Sequence, residues 1–395
     1  MLLDNGILFS EKYRPFTNTL TASIRLKGGL FAENQENNGI GTLFCNTLLR
    51  SSKILENSEF YGFDVFVKMG IPSIEIGFSA PVYMVEKALD EFEAFISLAE
   101  LSQDKFDLEK SLLLSDLKTS LDNPDYILSR GFRTIAMKGT PYSLGTFGTE
   151  ESVKKITFED IKKYRDTVLK SLGGVAVLVG NYDNKVKERF LKIASSVEKG
   201  VCPLQTVNKP VFTQDVWHED TFARIKQTKL ILSYDAPDVH SKEYASLNVL
   251  AEFLGGGMSS RYFNTIRKDL GFSYATWAMY VARQRCSYFA ARADLDYDNA
   301  KEAVDAICEI NENLSKTFDD REFEKAKKSL LGSSLIATQT NSAIAGDMGR
   351  YSLLGLGADF REKFIAQVEN LTADEFLRSA ELFNGNKIVY ILKPE

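Results

Sequence analysis

Histidine is nearly missing from this chain: His218 and His240 are the only two in 395 residues. Chemistry that needs several imidazoles has no place in this chain alone. Cysteine is also scarce. Cys45, Cys202, Cys286 and Cys308 stand far apart with no CxxC or CxxxC spacing, which argues against a zinc ribbon and a disulfide framework. No stretch approaches the roughly 18 consecutive apolar residues of a membrane-spanning helix, so no transmembrane segment is expected. Met1 to Phe16 holds no basic segment followed by a long apolar run. No signal peptide is read there, and the expected location is cytoplasmic, or periplasmic if a leader has been removed. Positive charge is not in excess: 48 Lys and Arg face 54 Asp and Glu, a net charge of −6. Binding nucleic acid by phosphate neutralisation is therefore not expected.

What the chain does hold is core material. Its hydrophobic content of 44%, with 27 Phe and 16 Tyr, is that of a folded protein rather than a disordered one. Its length exceeds the usual limit of a single core and predicts two domains of roughly 200 residues. An internal repeat supports this. Lys110-Ser111-Leu112-Leu113 recurs as Lys328-Ser329-Leu330-Leu331. The pattern of Val153 to Ile161 recurs at Val368 to Phe376, and the strand-like Val175 to Val179 recurs at Ile388 to Leu392. The offset stays near about 215 residues, so whole halves are duplicated. The expected division is 1–198, a Pro- and Gly-punctuated linker over 199–210, and 211–395.

Each half shows the same order of elements. Ala22 to Leu26 and Ser73 to Phe78 alternate like strands. Ile40, Leu43, Phe44, Thr47 and Leu48 form a helical stripe, and Val82 to Leu98 reads as a long amphipathic helix. The second half answers with a strand over Lys229 to Ser233, a helix over Tyr244 to Leu254, strands around Tyr274 and Tyr288, and a helix from Asn299 to Leu314. Thr157 with Asp160, and Thr372 with Glu375, have the spacing of helix N-caps. Strands and helices interleave without a regular βαβ rhythm. The expected class is therefore α+β: two homologous domains, each a largely antiparallel sheet with helices packed on one face.

The run from Leu254 through Gly255-Gly256-Gly257-Met258-Ser259-Ser260-Arg261 to Arg267, Gly271 and Tyr274 resembles the C-terminal-domain signature of the pitrilysin/insulinase family of zinc peptidases. The similarity is to its short bacterial and mitochondrial-processing-peptidase-like branch. Leu3-Asp4-Asn5-Gly6 and the segment Gly148 to Thr157 are also similar to that family. The resemblance covers essentially the whole chain and implies a two-domain clamshell of homologous α+β halves.

It also implies an inverted zinc motif, His-x-x-Glu-His, on the first helix, in which two His bind the metal and the Glu activates a water. The matching positions here are Thr42, Cys45 and Asn46. The implied third ligand, a Glu seven residues after another Glu, falls on Asp116 after Glu109. Thr42, Cys45 and Asn46 share a face at i, i+3 and i+4. Neutral Thr and Asn oxygens are poor zinc ligands beside imidazole or thiolate, so a small, partly buried polar face is the preferred reading. His218 and His240 are expected in loop-like segments without a catalytic or metal role.

A second constellation is intact. Ser260 to Lys268 reads as a helix, capped near Ser259 or Ser260 and ended by Gly271 in the left-handed region. Arg267 falls inside a stripe of Phe263, Ile266 and Leu270, where a guanidinium needs a partner or a cavity. Tyr274 follows on the next strand. The resemblance implies that Arg267 and Tyr274 reach the active site and hold the scissile peptide; the plainer alternative is an Arg bridging helix and sheet beside a core Tyr. Gly255-Gly256-Gly257 lacks the Gly-Lys-Ser/Thr ending of a phosphate loop and follows a helix. A loop touching extended peptide, with Met258, suits it better, and a simple connector is the alternative.

The expected function is the zinc-less subunit of a heterodimeric metallopeptidase. Such a chain holds no cofactor of its own; zinc is expected in a homologous His-x-x-Glu-His partner. Its substrate is an unfolded or short peptide added as a strand to a sheet edge. An inert scaffold, a peptide-binding homologue that does not cut, and a stand-alone enzyme with an atypical metal site are the competing readings.

Overall fold

The computed structural model describes residues 1–170, 173–201, 204–208 and 212–395. Cys202, Pro203, Lys209 and Pro210 of the expected linker lie outside the described residues. Two compact units are formed. The first comprises Met1–Thr119, Leu144–Thr206 and Ala337–Arg361; the second comprises Ser120–Ser143, Val207–Ile336 and Glu362–Glu395. They differ from the repeat halves of the sequence by the exchange of one helical segment each.

The first unit is built on a five-stranded sheet of order β1-β5-β2-β4-β3. Its strands are β1 (Ile7–Tyr13), β2 (Thr19–Lys27), β3 (Asp64–Met69), β4 (Ser73–Pro81) and β5 (Gly174–Gly180). The second unit repeats the order as β6-β10-β7-β9-β8. Those strands are β6 (Val216–Thr221), β7 (Thr228–Ala236), β8 (Ser273–Val281), β9 (Ser287–Leu295) and β10 (Lys387–Lys393). In each sheet a single pair is parallel, β1 with β5 and β6 with β10, and the remaining pairs are antiparallel. The fold is therefore α+β with two largely antiparallel sheets, as the alternation of the strands predicts.

In the first unit, Leu20, Ala22, Ile24 and Leu26 alternate along β2 into the main core with Leu43, Phe44, Leu89, Phe92 and Phe190 from the helices. The period of two along the strand and near four along the helices brings these side chains to one layer. The other face is covered as well, which differs from the expected one-faced packing. Val175, Val177 and Val179 on β5 pack against Ile344, Ala345 and Met348 of the helix Asn341–Leu353, which comes from the second repeat. This is why β5 is buried at every position: a strand covered on both faces reads as a continuous apolar run. Asn341 locks the exchange. Its amide nitrogen donates to the Thr19 carbonyl at 2.8 Å, and its oxygen accepts from Arg14 at 2.6 Å.

The second unit mirrors this with the helix Pro124–Ala136. Its Leu128, Phe132 and Ala136 are buried, and the Phe132 ring sits 5.2 Å from that of Tyr288 on β9. Gly131 is required where this helix crosses β10, because a Cβ there would fall 1.8 Å from the Tyr390 hydroxyl. Both expected N-caps are complete capping boxes: Thr157 with Asp160, and Thr372 with Glu375. The expected helix Val82–Leu98 opens with a short 3-10 turn before its α-helical part, Val85–Leu98. No helix among the described residues is long and apolar enough to cross a membrane.

Candidate functional site

The helix Ile40–Ser51 carries the positions where the family resemblance would place the metal. It enters the fold through a tight crossing. Gly39 has φ 96 and Gly148 has φ 76, and a Cβ on Gly148 would fall 2.3 Å from the Asn38 carbonyl. Only glycine allows the two backbones to pass this closely. Ser152 tightens the crossing further by donating to that same carbonyl at 2.7 Å.

The crossing closes over the helix. The Thr42 hydroxyl donates to the Thr146 carbonyl at 2.6 Å. Cys45 is 2% exposed and packs in the main core; burial pushes its thiol far above the usual range, so no thiolate is on offer. Asn46, by contrast, is exposed. The expected shared polar face is thus split: Thr42 and Cys45 are buried, and Asn46 faces solvent. Asp116 is exposed, while Glu109 is buried and forms an ion pair with Arg50 of the same first helix. These residues do not fit a zinc ion. Their donors are a hydroxyl already spent on a carbonyl, a protonated core thiol, an amide and one carboxylate, which is a poor set for that metal. Among the described residues no group of three or more His, Cys, Asp and Glu could hold a metal.

Glu33, which no sequence motif marks, also belongs to this region. It is 1% exposed. Its carboxylate receives the Gly39 and Gly41 backbone N–H groups, at 2.8 and 2.9 Å, and the Asn38 amide at 2.8 Å. It therefore satisfies donors at the start of the helix, where the helix dipole favours negative charge. Burial raises its pKa to about 7 against the pull of these hydrogen bonds. A carboxylate several residues ahead of a Gly-Ile-Gly helix start was the only sequence signal, and it is a weak one.

The second constellation is brought together. The segment Phe263–Asp269 is a π-helix, with the Leu270 N–H bonding the Thr265 carbonyl five residues back. This differs from the expected α-helical stripe, because i→i+5 bonding shifts which side chains align. Only Ile266 of the expected stripe is buried; Leu270 is 36% exposed and Arg267 is exposed. The guanidinium finds its partners at the surface. It donates to the Tyr274 backbone carbonyl and lies 5.2 Å from the Phe263 ring centre and 5.6 Å from that of Tyr274. Gly271, at φ 68, ends the segment in the left-handed region as expected. Tyr274 is 72% exposed at the start of β8, next to a bulge between Ser273 and Ala275. It is not a core tyrosine.

The glycine run has distinct parts. Gly255 is buried where its helix meets β8, and a Cβ there would fall 1.9 Å from the Ala278 nitrogen. Gly256 packs on Glu252, Gly257 takes φ 88, and Met258 is 76% exposed. Gly255 is thus a packing position, and Gly257 with Met258 is the exposed turn. His218 lies on β6 rather than in a loop. It stacks at 5.5 Å on Tyr390 and contacts Asp220 at 3.2 Å. His240 lies in a turn beside Asp238, at 3.7 Å.

Residues 155–330 match the model of the peptidase M16 inactive domain. The chain is 23% identical to a protein of Rickettsia felis described as an uncharacterized zinc protease, with 99% of this chain and 96% of that protein covered. It is 22% identical to the non-peptidase homolog YmxG of Helicobacter pylori, with 93% and 87% covered. It is also 22% identical to the mitochondrial-processing peptidase subunit beta of Saccharomyces cerevisiae, with 98% and 88% covered. Its fold matches the crystal structure of a peptidase M16 inactive domain from Pseudomonas fluorescens, with a TM-score of 0.88, 19% identity, and 100% and 98% of the two chains covered.

Proposed function

Because this chain belongs to the M16, or pitrilysin/insulinase, peptidase family, we propose that it serves as a zinc-less subunit beside a homologous partner carrying His-x-x-Glu-His. The observation that carries this reading is the contrast within one chain. The helix Ile40–Ser51 has no donor set for zinc, yet Arg267 and Tyr274 stand side by side and exposed. The similarity to a processing-peptidase subunit supports the same reading.

In this role the chain holds and polarises peptide. Arg267 is steadied by two rings and a carbonyl, and Tyr274 by its place in β8. Both offer hydrogen-bond donors to a peptide oxygen that gains negative charge during attack. Donors placed for that charge stabilise the transition state more than the bound substrate and are worth about 3–4 kcal/mol each. The exposed turn of Gly257 and Met258 supplies further peptide contact. β8 is the last strand of its sheet, so an extended peptide can add to it through backbone hydrogen bonds.

The test is reconstitution with a His-x-x-Glu-His homologue. The chain alone should cleave nothing, and the mixture should cleave extended peptides. Tyr274→Phe keeps the ring and deletes one hydroxyl, so it should lower kcat by roughly 100-fold at an unchanged melting temperature. Full turnover by this variant on several peptides would remove Tyr274 from the catalytic apparatus. It would favour the second reading, an inert scaffold or a peptide-binding homologue, which the non-peptidase description of the Helicobacter pylori relative supports.

A further inference from the structure

The second unit holds a group of arginines that none of the roles above uses. Arg283 follows β8 in the hairpin to β9, and its guanidinium lies 4.9 Å from the Tyr142 ring centre and 5.8 Å from that of Tyr288. Arg133 lies on the helix Pro124–Ala136, one turn after Arg130 and next to Phe132, whose ring sits 5.2 Å from that of Tyr288. Arg292 on β9 stacks at 4.9 Å on Trp277 of β8. Burial raises the pKa of Tyr288, and the positive charges of Arg283, Arg133 and Arg292 act against that rise.

Their charges are unequally answered. Arg292 pairs with Asp125 at 3.0 Å, and Asp125 is shared with Lys229 at 3.2 Å. Among the described residues no carboxylate pairs with Arg130, Arg133 or Arg283. The nearby Asp238 acts on Tyr142, and its carboxylate accepts from the His240 backbone N–H. The Nε of Arg133 and the Nη1 of Arg283 are shut off from solvent without any hydrogen-bond partner. Arg133 is largely buried, and its pKa is lowered first by that burial and then by the like charge of Arg283. Two partly buried cations whose like charges bear on each other are costly to keep together unless an anion joins them. Tyr142 and Tyr288 fix the Arg283 guanidinium plane and leave its Nε–Nη2 edge to act as a fork for a carboxylate.

The position in the fold says what brings that anion. β8 is the edge strand, with Arg267 and Tyr274 at its start and Arg283 just beyond its end at Val281. At a strand rise of about 3.3 Å per residue, Val281 lies about 23 Å from Tyr274. A peptide added along β8 with its reacting bond near Tyr274 therefore reaches the arginines about seven residues away. We propose that Arg133 and Arg283 receive a carboxylate of that peptide, either an acidic side chain or a free C-terminus. This rests on the reading that the chain holds peptide along a sheet edge, and it narrows the substrates to peptides with negative charge at one end.

Binding to the isolated chain tests the proposal without any partner, so an inactive reconstituted mixture leaves the result untouched. Three labelled ten-residue peptides of one extended sequence are compared by fluorescence anisotropy at low salt. One carries two Glu near an amidated C-terminus, one carries Gln at those positions with a free C-terminus, and one carries Gln and is amidated. At least one anionic peptide should bind about 10-fold or more tighter than the neutral one. Which of them does so tells a side-chain carboxylate from a terminal one. Arg133→Gln combined with Arg283→Gln should erase that preference and leave the neutral peptide unaffected. Because like charges are removed, the melting temperature should hold or rise. If the double variant folds poorly, Arg133→Lys with Arg283→Lys should keep the charge but lose most of the preference, since an ammonium cannot fork. Equal binding of all three peptides would overturn the proposal, as would a preference that survives the Gln variants. Displacement by an equimolar amount of inorganic phosphate would also overturn it, by showing a site for a free anion rather than for peptide.

Discussion

Two regions of a duplicated fold contrast, each lying between the second strand of its unit and the third, though at successive rather than equivalent positions of the repeat. The helix Ile40–Ser51 of the first unit has turned inward. Thr42 is bonded to a backbone carbonyl, Cys45 is in the core, and the buried Glu33 holds the helix start. The segment from Gly257 to Tyr274 in the second unit has turned outward, with Met258, Arg267 and Tyr274 in solvent. Both rest on five-stranded sheets of the same order. The architecture therefore survives whichever way its surface chemistry goes, because stability lies in the shared layers rather than in the decorations. A helix face that is buried fills with apolar contacts, whereas one that stays in solvent keeps polar groups available.

The contrast can be broken most forcefully by rebuilding the closed region. Thr42→His, Cys45→Glu and Asn46→His restore the motif on paper. Cys45 is 2% exposed and lies close enough to Glu33 for the Glu33 charge to raise its pKa. A second carboxylate there should cost on the order of 4 kcal/mol in urea unfolding. The triple variant should also bind no tight zinc without Asp116→Glu, because the Asp carboxylate is one methylene shorter and metal–ligand distances tolerate only about 0.2 Å. A triple variant as stable as the parent, holding one zinc per chain, would show that this region remains open to metal.

Glu33 sharpens the contrast through pH. Its pKa is raised from 4.5 to about 7 in the fold. As pH rises, the unfolded chain releases this proton near 4.5 while the folded chain keeps it until about 7. The resulting stabilisation is complete below the lower value and is lost by the upper one. The stability difference between parent and Glu33→Gln should therefore shift by on the order of 3 kcal/mol in favour of the parent as pH falls across that window. A difference independent of pH between 4.5 and 7.5 would mean that the carboxylate is ionised throughout and that its hydrogen bonds outweigh burial.

The smallest effect belongs to the open region. Tyr274→Phe should change unfolding free energy by less than about 0.5 kcal/mol, and Arg267→Ala by about 0.5–1 kcal/mol from lost ring contacts. A loss of several kcal/mol from either change would mark them as structural and erase the difference between the two regions.

Much of the fold was legible because local rules agreed with tertiary need. The alternation at Ala22 to Leu26 and Ser73 to Phe78 became β2 and β4, and the two threonine caps formed as capping boxes. The candidate site was less legible. Phe263, Ile266 and Leu270 suggested a buried stripe, but the i→i+5 bonding of that helix moved Arg267 and Leu270 to the surface. Periodicity assumes one helix type and cannot register such a change. The exchanged helices Pro124–Ala136 and Asn341–Leu353 left only an indirect trace, the unbroken apolar run of β5. That run predicts cover on both faces but not which segment provides it.

By itself the sequence determined the duplication, the α+β layering and the lack of a His-x-x-Glu-His motif, because repeats, side-chain periods and residue types are written along the chain. Tertiary structure alone decided that Cys45 is sealed while Tyr274 is open, that Glu33 is a buried cap, and that Arg133 and Arg283 each hold a guanidinium nitrogen shut off from solvent without a partner. Burial and charge pairing depend on what other segments bring to a place. A residue's cost or use there follows from its neighbours in space, which its neighbours in sequence do not reveal.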